Sequence, residues 1–452
     1  MTKSKLLIRP QTTPLTGTIT VPGDKSISHR AVMLAAIAGG SSVIRKWLPA
    51  GDTIATLEAM RAMGVRIEVD RRSTQAWDLR IEGRGLRGLQ PPQRPLDCRN
   101  AGTCMRLLAG IMVGQSFPSV LDGSGQLRQR PMRRITEPLR QMGANITAED
   151  GRAPLSIRPG ALQGIEFRLN VASAQVKSAI LLAGLYAEGE TRVYQPGPAR
   201  DHTERMLAAM GVNVTIDGNW IVLKRLEACP ERSRRIGDWR LEPLDLTVPA
   251  DISSAAFPLV AAAIVPHSQI TVTNVGINDT RTGILDMLVA MGARFSVSNE
   301  RTTGGEPAAD LTFSFDELHS AGVGGATVVR GIDELPVWAV AATQAAGTST
   351  ARDAAELRVK EVDRIGMLAG ELRRMGVDVS ERPDGFTISG PTRLDSAAVD
   401  SHGDHRLGMA LAIAGLVARG ETLVHDAGCI ADSFPGFVET MQTLGANMEW
   451  VE

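Results

Sequence analysis

Basic side chains in this sequence gather where apolar segments begin. Lys25 and Arg30 flank the start Asp24-Lys25-Ser26, and Arg106 follows Asn100-Ala101-Gly102-Thr103. Arg130 sits in Gln129-Arg130-Pro131, and Arg200 precedes Asp201-His202-Thr203. Lys360-Glu361-Val362-Asp363-Arg364 and Asp404-His405-Arg406 complete the set. A planar guanidinium grips carboxylate or phosphate with two parallel hydrogen bonds, and a lysine acts as a compact point charge. Any one of these residues alone reads as a surface charge. Together, at segment starts, they point to binding of small polyanions.

The segments they open have the pattern of buried helices. Six polar clusters each lead into an Ala/Leu-rich stretch: Asp24-Lys25-Ser26, Asn100-Ala101-Gly102-Thr103, Ser173-Ala174-Gln175, Asp251-Ile252-Ser253-Ser254, Asp333-Glu334-Leu335-Pro336 and Asp404-His405-Arg406. A helix that is apolar nearly all round is buried, and its first N–H groups lack intrahelical partners. Those donors, with the positive end of the helix dipole, make each start a natural anion site. A shared cleft at the starts is the expectation.

A second signature recurs every seventy to eighty residues, roughly, as in repeat architectures. It is an amphipathic stretch ending in Met63-Gly64, Met142-Gly143, Met210-Gly211, Met291-Gly292, Met375-Gly376 or Leu444-Gly445, followed by a strand-like run. The glycine reads as a left-handed helix stop. Six α/β units exceed one core, so three per domain is the economical division, with the switch near Asp245–Pro249. The stretch Glu231–Asp238 before it, and Asn299–Asp310 later, read as solvated connecting loops.

Composition narrows the function. The 452 residues carry 49 Lys and Arg against 50 Asp and Glu, with 4% aromatics. That leaves neither the basic excess nor the stacking rings that nucleic acid requires. The four cysteines, Cys98, Cys104, Cys229 and Cys429, are scattered and form no disulfide framework. The start of the chain has no apolar signal core, and no stretch is long enough to cross a bilayer, so a cytoplasmic location is expected. No phosphate-binding glycine loop of the nucleotide-hydrolase type is present. Cys104 reads as a packed thiol and His402-x-x-His405 as structural histidines, so neither a metal nor a cofactor is expected.

Four motifs carry a resemblance. Leu15-x-Gly-x-Ile-x-Val-Pro-Gly-Asp-Lys25-Ser26-Ile-Ser-His-Arg30 and Asn100-Ala-Gly102-Thr103-x-Met-Arg106 closely resemble the N-terminal signatures of the 5-enolpyruvylshikimate-3-phosphate synthase family. Arg358-Val-Lys360-Glu361-x-Asp-Arg364 and Asp404-His405-Arg406 resemble its second and third signatures, in order and across essentially the whole chain. The bacterial second class is the nearer match, through Asp-Lys-Ser-Ile-Ser-His-Arg and Ser173-Ala-Gln-Val-Lys177. The resemblance implies an α/β fold of two similar domains, each of three βαβαββ units, in an inside-out barrel-like arrangement with the active site in the interdomain cleft. It implies that residues 1–20 form a first strand joining 249–452, with 21–248 as the other domain.

The implied reaction moves the enolpyruvyl group of phosphoenolpyruvate to the 5-hydroxyl of shikimate 3-phosphate, releasing inorganic phosphate, without a cofactor and in a monomer. Carried over residue by residue, Lys25, Ser26, Arg30, Ser173, Ala174, Gln175, Arg200, Asp333 and Lys360 bind shikimate 3-phosphate. Lys25, Asn100, Gly102, Thr103, Arg130, Gln175, Arg364 and Arg406 bind phosphoenolpyruvate. Asp333 is the candidate base for the 5-hydroxyl, and Glu361 the candidate proton donor to the methylene carbon. Cations lower carboxyl pKa values, which suits a base and handicaps an acid, so Lys25 is an alternative proton carrier. Asp333 also fits a plainer role as a helix cap before Leu335-Pro336.

The sequence departs from some relatives at Leu107, where they carry proline, and at Gln126, where they carry arginine. Ala427-Gly428-Cys429 stands where many have a lysine. Gly102 leaves room for a phosphonate beside the backbone, so inhibition by glyphosate is expected. The related transferase acting on UDP-N-acetylglucosamine keeps a cysteine acid in the loop corresponding to Asp122–Pro131, which has none here. A non-catalytic anion binder would gain little from Asp333 and Glu361.

Overall fold

In the computed structural model, which describes residues 5–224 and 240–451, the sixfold repeat becomes six four-stranded sheets. Cys229 and the Glu231–Asp238 stretch lie outside the described residues. The second repeat displays the unit in full. Strand Leu96–Asp97 leads into helix Gly102–Met112 and returns as the parallel strand Ser119–Asp122. Helix Arg133–Gln141 follows, and then the antiparallel hairpin Asn145–Glu149 and Arg152–Arg158. Parallel neighbours need a crossover, and the apolar helix supplies it.

The chain divides into two units: residues 1–24, 249–302 and 307–452, and residues 25–248 with 303–306. Each has its own apolar core. The N-terminal segment forms not one strand but two, in different sheets of the first unit. Lys5–Ile8 lies between Thr422–His425 and Met448–Val451, and Thr16–Ile19 runs parallel to Gln269–Gly276. Each supplies the strand its repeat lacks locally. Asp245–Thr247 does the same in the second unit, pairing parallel with Gly39–Trp47.

The six apolar segments are helices Lys25–Ala36, Gly102–Met112, Ala174–Gly184, Ile252–Ile264, Leu335–Gln344 and His405–Leu416. Nearly every residue in them is buried. Small residues allow close helix contact: a Cβ on Gly110 would stand 2.4 Å from the Ala179 carbonyl oxygen. The six repeat glycines, Gly64, Gly143, Gly211, Gly292, Gly376 and Gly445, all have φ between +82 and +93. They follow the more exposed helices, where only glycine takes that conformation without cost.

Candidate functional site

In the second unit, three helix starts converge through their side chains. Arg30, on Lys25–Ala36, donates from Nε to Thr203 Oγ1 at 2.7 Å, from Nη2 to Ser178 Oγ at 2.8 Å and from Nη1 to the Ser26 carbonyl at 2.9 Å. Ser178 lies on Ala174–Gly184, so Arg30 ties two starts together. Gln175 joins the third: its Nε2 donates to Thr103 Oγ1 at 2.9 Å, and its Oε1 accepts from Arg106 Nη1 at 2.5 Å. Lys25 Nζ pairs with Asp52 Oδ2 at 3.2 Å, and Arg200 Nη1 donates to Ser26 Oγ at 3.4 Å. Asn100 Nδ2 donates to Gln126 Oε1 at 2.6 Å, and its Oδ1 accepts from Ser124.

The helix starts at Gly102 and Ala174 carry no side-chain cap, although Ser173 stands at the cap position of the second. Their first N–H groups therefore have no capping side chain, and the helix dipole lies behind them. Gly102 is flanked by two guanidinium groups. A Cβ there would lie 3.0 Å from both Arg106 Nη1 and Arg130 Nη1, and both arginines are largely buried. Bare helix N–H groups beside two guanidinium groups form a receptor for a small anion.

The first unit is built differently. Asp251 caps Ile252–Ile264 by accepting from the Ser253 N–H, and Asp404 caps His405–Leu416 by accepting from the N–H groups of Arg406 and Leu407. The expectation that all six starts serve anions is corrected here, because two of them carry their own aspartate. The plainer reading of Asp333 is corrected as well: Glu334 holds the cap position, without a side-chain cap bond. Asp333 Oδ1 instead sits 3.2 Å from Lys360 Nζ and 3.1 Å from Arg364 Nη1.

Arg364 is the hub of this half. Its Nη2 donates to Glu361 Oε2 at 2.7 Å and its Nε to Asp404 Oδ2 at 2.7 Å. Its side chain is 2% exposed. Burial pulls the guanidinium pKa down, and Asp404, Glu361 and Asp333 more than reverse this, raising it above its ordinary value. Arg406 Nη1 lies 3.8 Å from Glu334 Oε1. The two candidate acid–base groups thus hang on one guanidinium, on an element preceding Leu335–Gln344 and on one preceding Arg364–Arg374.

Other residues resolve as packing. Cys104 and Leu107 are fully buried, and the Cys98 thiol, hydrogen-bonded to Cys104 and desolvated, is raised well above its ordinary value. His402 Nε2 faces Glu371 Oε1 at 2.9 Å. Cys429 lies 3.5 Å from Ser401 Oγ, and burial pushes its thiol up to about 12. Arg106, singled out by sequence only as a nearby cation, proves a neighbour of Gly102. Lys177, which the sequence marks only as the end of the Ser173–Lys177 motif, is fully buried, pairs with Glu204 Oε1 at 2.5 Å and donates to the Ala199 carbonyl, beside Arg200. The signal available was a lysine at the second turn of an apolar helix, where burial demands a partner.

Six repeated α/β units, with cations at the buried helix starts of one unit and a carboxylate pair on one guanidinium in the other, fit an enzyme that handles small polyanions. The profile of EPSP synthase (3-phosphoshikimate 1-carboxyvinyltransferase) matches residues 10–441, and the chain belongs to that family. It is 50% identical over 428 residues to the 3-phosphoshikimate 1-carboxyvinyltransferase of Citrifermentans bemidjiense, covering 94% of this chain and 96% of that one. It is 50% identical over 435 residues to that of Xanthomonas campestris pv. campestris strain B100, covering 96% and 95%. The EPSP synthase structure from Acinetobacter baumannii superposes with a TM-score of 0.86 at 42% identity, covering 99% of this chain and 100% of that one.

Proposed function

We infer that this chain carries the activity of its family, transfer of the enolpyruvyl group of phosphoenolpyruvate to the 5-hydroxyl of shikimate 3-phosphate, and we propose the residues that perform it. The oxygen of the 5-hydroxyl adds to C2 of phosphoenolpyruvate as C3 gains a proton, giving a tetrahedral intermediate. Loss of the C3 proton with C–O cleavage then expels inorganic phosphate and restores the double bond. No phosphoryl group is transferred, so the chemistry rests on charge placement and two proton movements.

Asp333 takes the 5-hydroxyl proton, with Lys360 beside it orienting the ring hydroxyls. Glu361 delivers and removes the proton at C3, and Lys25 is the other proton carrier within the set. Ser26, Arg30, Ser173, Ala174, Gln175 and Arg200 hold shikimate 3-phosphate. Gly102, Asn100, Thr103, Gln175, Arg130, Arg364 and Arg406 hold phosphoenolpyruvate, and the geometry adds Arg106 to them. The observation that carries this reading is the single guanidinium of Arg364 bonded to both Asp333 and Glu361, at 3.1 and 2.7 Å. A plain anion receptor would not hold two carboxylates at its centre, because they repel its ligand.

The experiment is phosphate release by the purified protein with both substrates and no added divalent metal. Replacing shikimate 3-phosphate with UDP-N-acetylglucosamine separates this activity from that of the related transferase. Turnover with the nucleotide sugar, or none with either acceptor, overturns the reading. Among the described residues no helix is long and apolar enough to cross a membrane. We propose a cytoplasmic monomer, which sedimentation of the purified protein tests.

A further inference from the structure

Arg281 lies in the turn between strand Gln269–Gly276 and helix Gly283–Ala290, outside every motif that identified the site. The turn is held from within. Arg281 N–H donates to the Asn278 carbonyl at 2.7 Å, and Asn278 Oδ1 accepts from Thr280 N–H at 3.0 Å and Thr280 Oγ1 at 2.8 Å. The Arg281 side chain is 3% exposed, and its Nη2 reaches Asp251 Oδ1 at 2.8 Å, Ser253 Oγ at 2.9 Å and Asp24 Oδ2 at 3.4 Å. Burial pulls this guanidinium pKa down, and Asp24, Asp251, Glu334 and Asp333 reverse the effect and raise it.

The position of those acceptors gives the contact its meaning. The chain passes from the first unit to the second at Asp24–Lys25 and returns at Val248–Pro249. The two passages are tied by backbone bonds, Asp24 N–H to the Pro249 carbonyl at 2.8 Å and Asp251 N–H to the Pro22 carbonyl at 2.9 Å. Asp24 and Asp251 then turn their carboxylates to the same guanidinium. From Ser253 the network continues to Glu334, which Ser253 Oγ contacts, and from Glu334 to Arg406 Nη1. Arg281 therefore joins the residue before Lys25 to the residue after Asp333.

We propose that Arg281 is a positioning residue for the reaction, setting the placement of Asp24, the residue before Lys25, and of the Asp333–Glu334 helix start. It acts through Asp24 and through Ser253, and touches neither substrate. Two buried carboxylates facing each other without a counter-ion repel, and the site absorbs that repulsion by shifting the segments that bear them. The inference rests on the proposed reaction.

The test uses Arg281→Met, Arg281→Lys and the double variant Arg281→Met with Asp24→Asn, each assayed for phosphate release and for thermal unfolding. Arg281→Met is expected to lower kcat at least tenfold and to raise KM for shikimate 3-phosphate several-fold. Its deficit should grow from pH 6 to pH 8. The carboxylates facing position 281 are Asp24, Asp251, Glu334 and Asp333, with Arg406 beside Glu334 and Arg364 and Lys360 beside Asp333. A carboxylate pair stripped of its counter-ion takes up a shared proton more readily as pH falls, which relieves the repulsion. Removing one charge with Asp24→Asn should recover most of the loss, and Arg281→Lys should fold as the parent does with an intermediate KM. Values within twofold of the parent from pH 6 to pH 8 overturn the proposal. So does a loss that ignores pH and is not relieved by Asp24→Asn. If Arg281→Met alone does not fold, the double and lysine variants decide by the same criteria. Parent turnover reports on the proposed reaction, and the variant-to-parent ratio reports on Arg281, so the two readings fail separately.

Discussion

Arg364 Nη1 donates to Asp333 Oδ1 at 3.1 Å, on the oxygen that Lys360 Nζ approaches to 3.2 Å. Two cations beside a carboxylate favour its charged form, which is the form a base requires. Asp333→Asn keeps the shape and removes the proposed base. The expected loss in kcat is on the order of 10²–10⁴, the range for a positioned general base, with KM for phosphoenolpyruvate little changed. Steady-state kinetics with both substrates checks this, and a kcat within threefold of the parent removes Asp333 from the base role.

Arg364 gives a prediction about stability as well as rate. Its side chain is 2% exposed, and the three carboxylates on it, Asp404, Asp333 and Glu361, are 0%, 12% and 17% exposed. Breaking a buried pair by removing one partner leaves an uncompensated charge, at a cost of about 3–5 kcal/mol. Arg364→Met should lose that much in denaturant unfolding and lose turnover too. Arg364→Lys keeps a charge but cannot reach three acceptors, so it should regain most of the stability and little of the activity. Equal recovery of both would argue that charge alone suffices.

Gly102→Ala separates affinity from stability. The new methyl meets Arg106 Nη1 and Arg130 Nη1 at 3.0 Å, where an anion bound between them would sit. Helix propensity favours alanine by up to ~1 kcal/mol, so unfolding should be unchanged or slightly improved. The KM for phosphoenolpyruvate and the inhibition constant for glyphosate should both rise, the latter by at least tenfold. An inhibition titration of the two proteins decides it, since equal constants contradict the steric argument.

The sequence carried local structure well because local structure has local causes. Met-Gly at each helix end marked a left-handed stop, and Asp251 and Asp404 could be placed at helix starts because an aspartate before an apolar run accepts the free N–H groups. The N-terminal segment was harder. Lys5–Ile8 and Thr16–Ile19 complete repeats that lie hundreds of residues away, so their sheets depend on pairing partners and not on their own pattern. The charge networks were harder still. Arg281 and Asp24 are separated by 257 positions and Arg30 and Thr203 by 173. No periodicity links such pairs. Asp333 shows the same limit: its place before Leu335-Pro336 fits a helix cap, and only the structure sets it beside Lys360 and Arg364.

His29 predicts how the protein responds to acid. It lies fully buried on Lys25–Ala36, with Nδ1 2.7 Å from Thr56 Oγ1 and Nε2 without a hydrogen-bond partner. Desolvation, then the charges of Lys25 and Arg30, hold its pKa well below the ordinary value near 6.5. In the unfolded chain His29 takes up a proton as pH falls through about 6.5, while the folded protein does not. The unfolded state then binds more protons, so stability falls with falling pH. This histidine's contribution is fully present above about pH 6.5 and declines below it by about 1.4 kcal/mol per pH unit, until the folded pKa is reached. His29→Asn can keep a bond to Thr56 and cannot titrate. Its unfolding free energy between pH 7 and pH 5 should therefore lose less than the parent's, by about 2 kcal/mol over that span. Parallel slopes in urea titrations at the two pH values would mean that another group governs the acid limb.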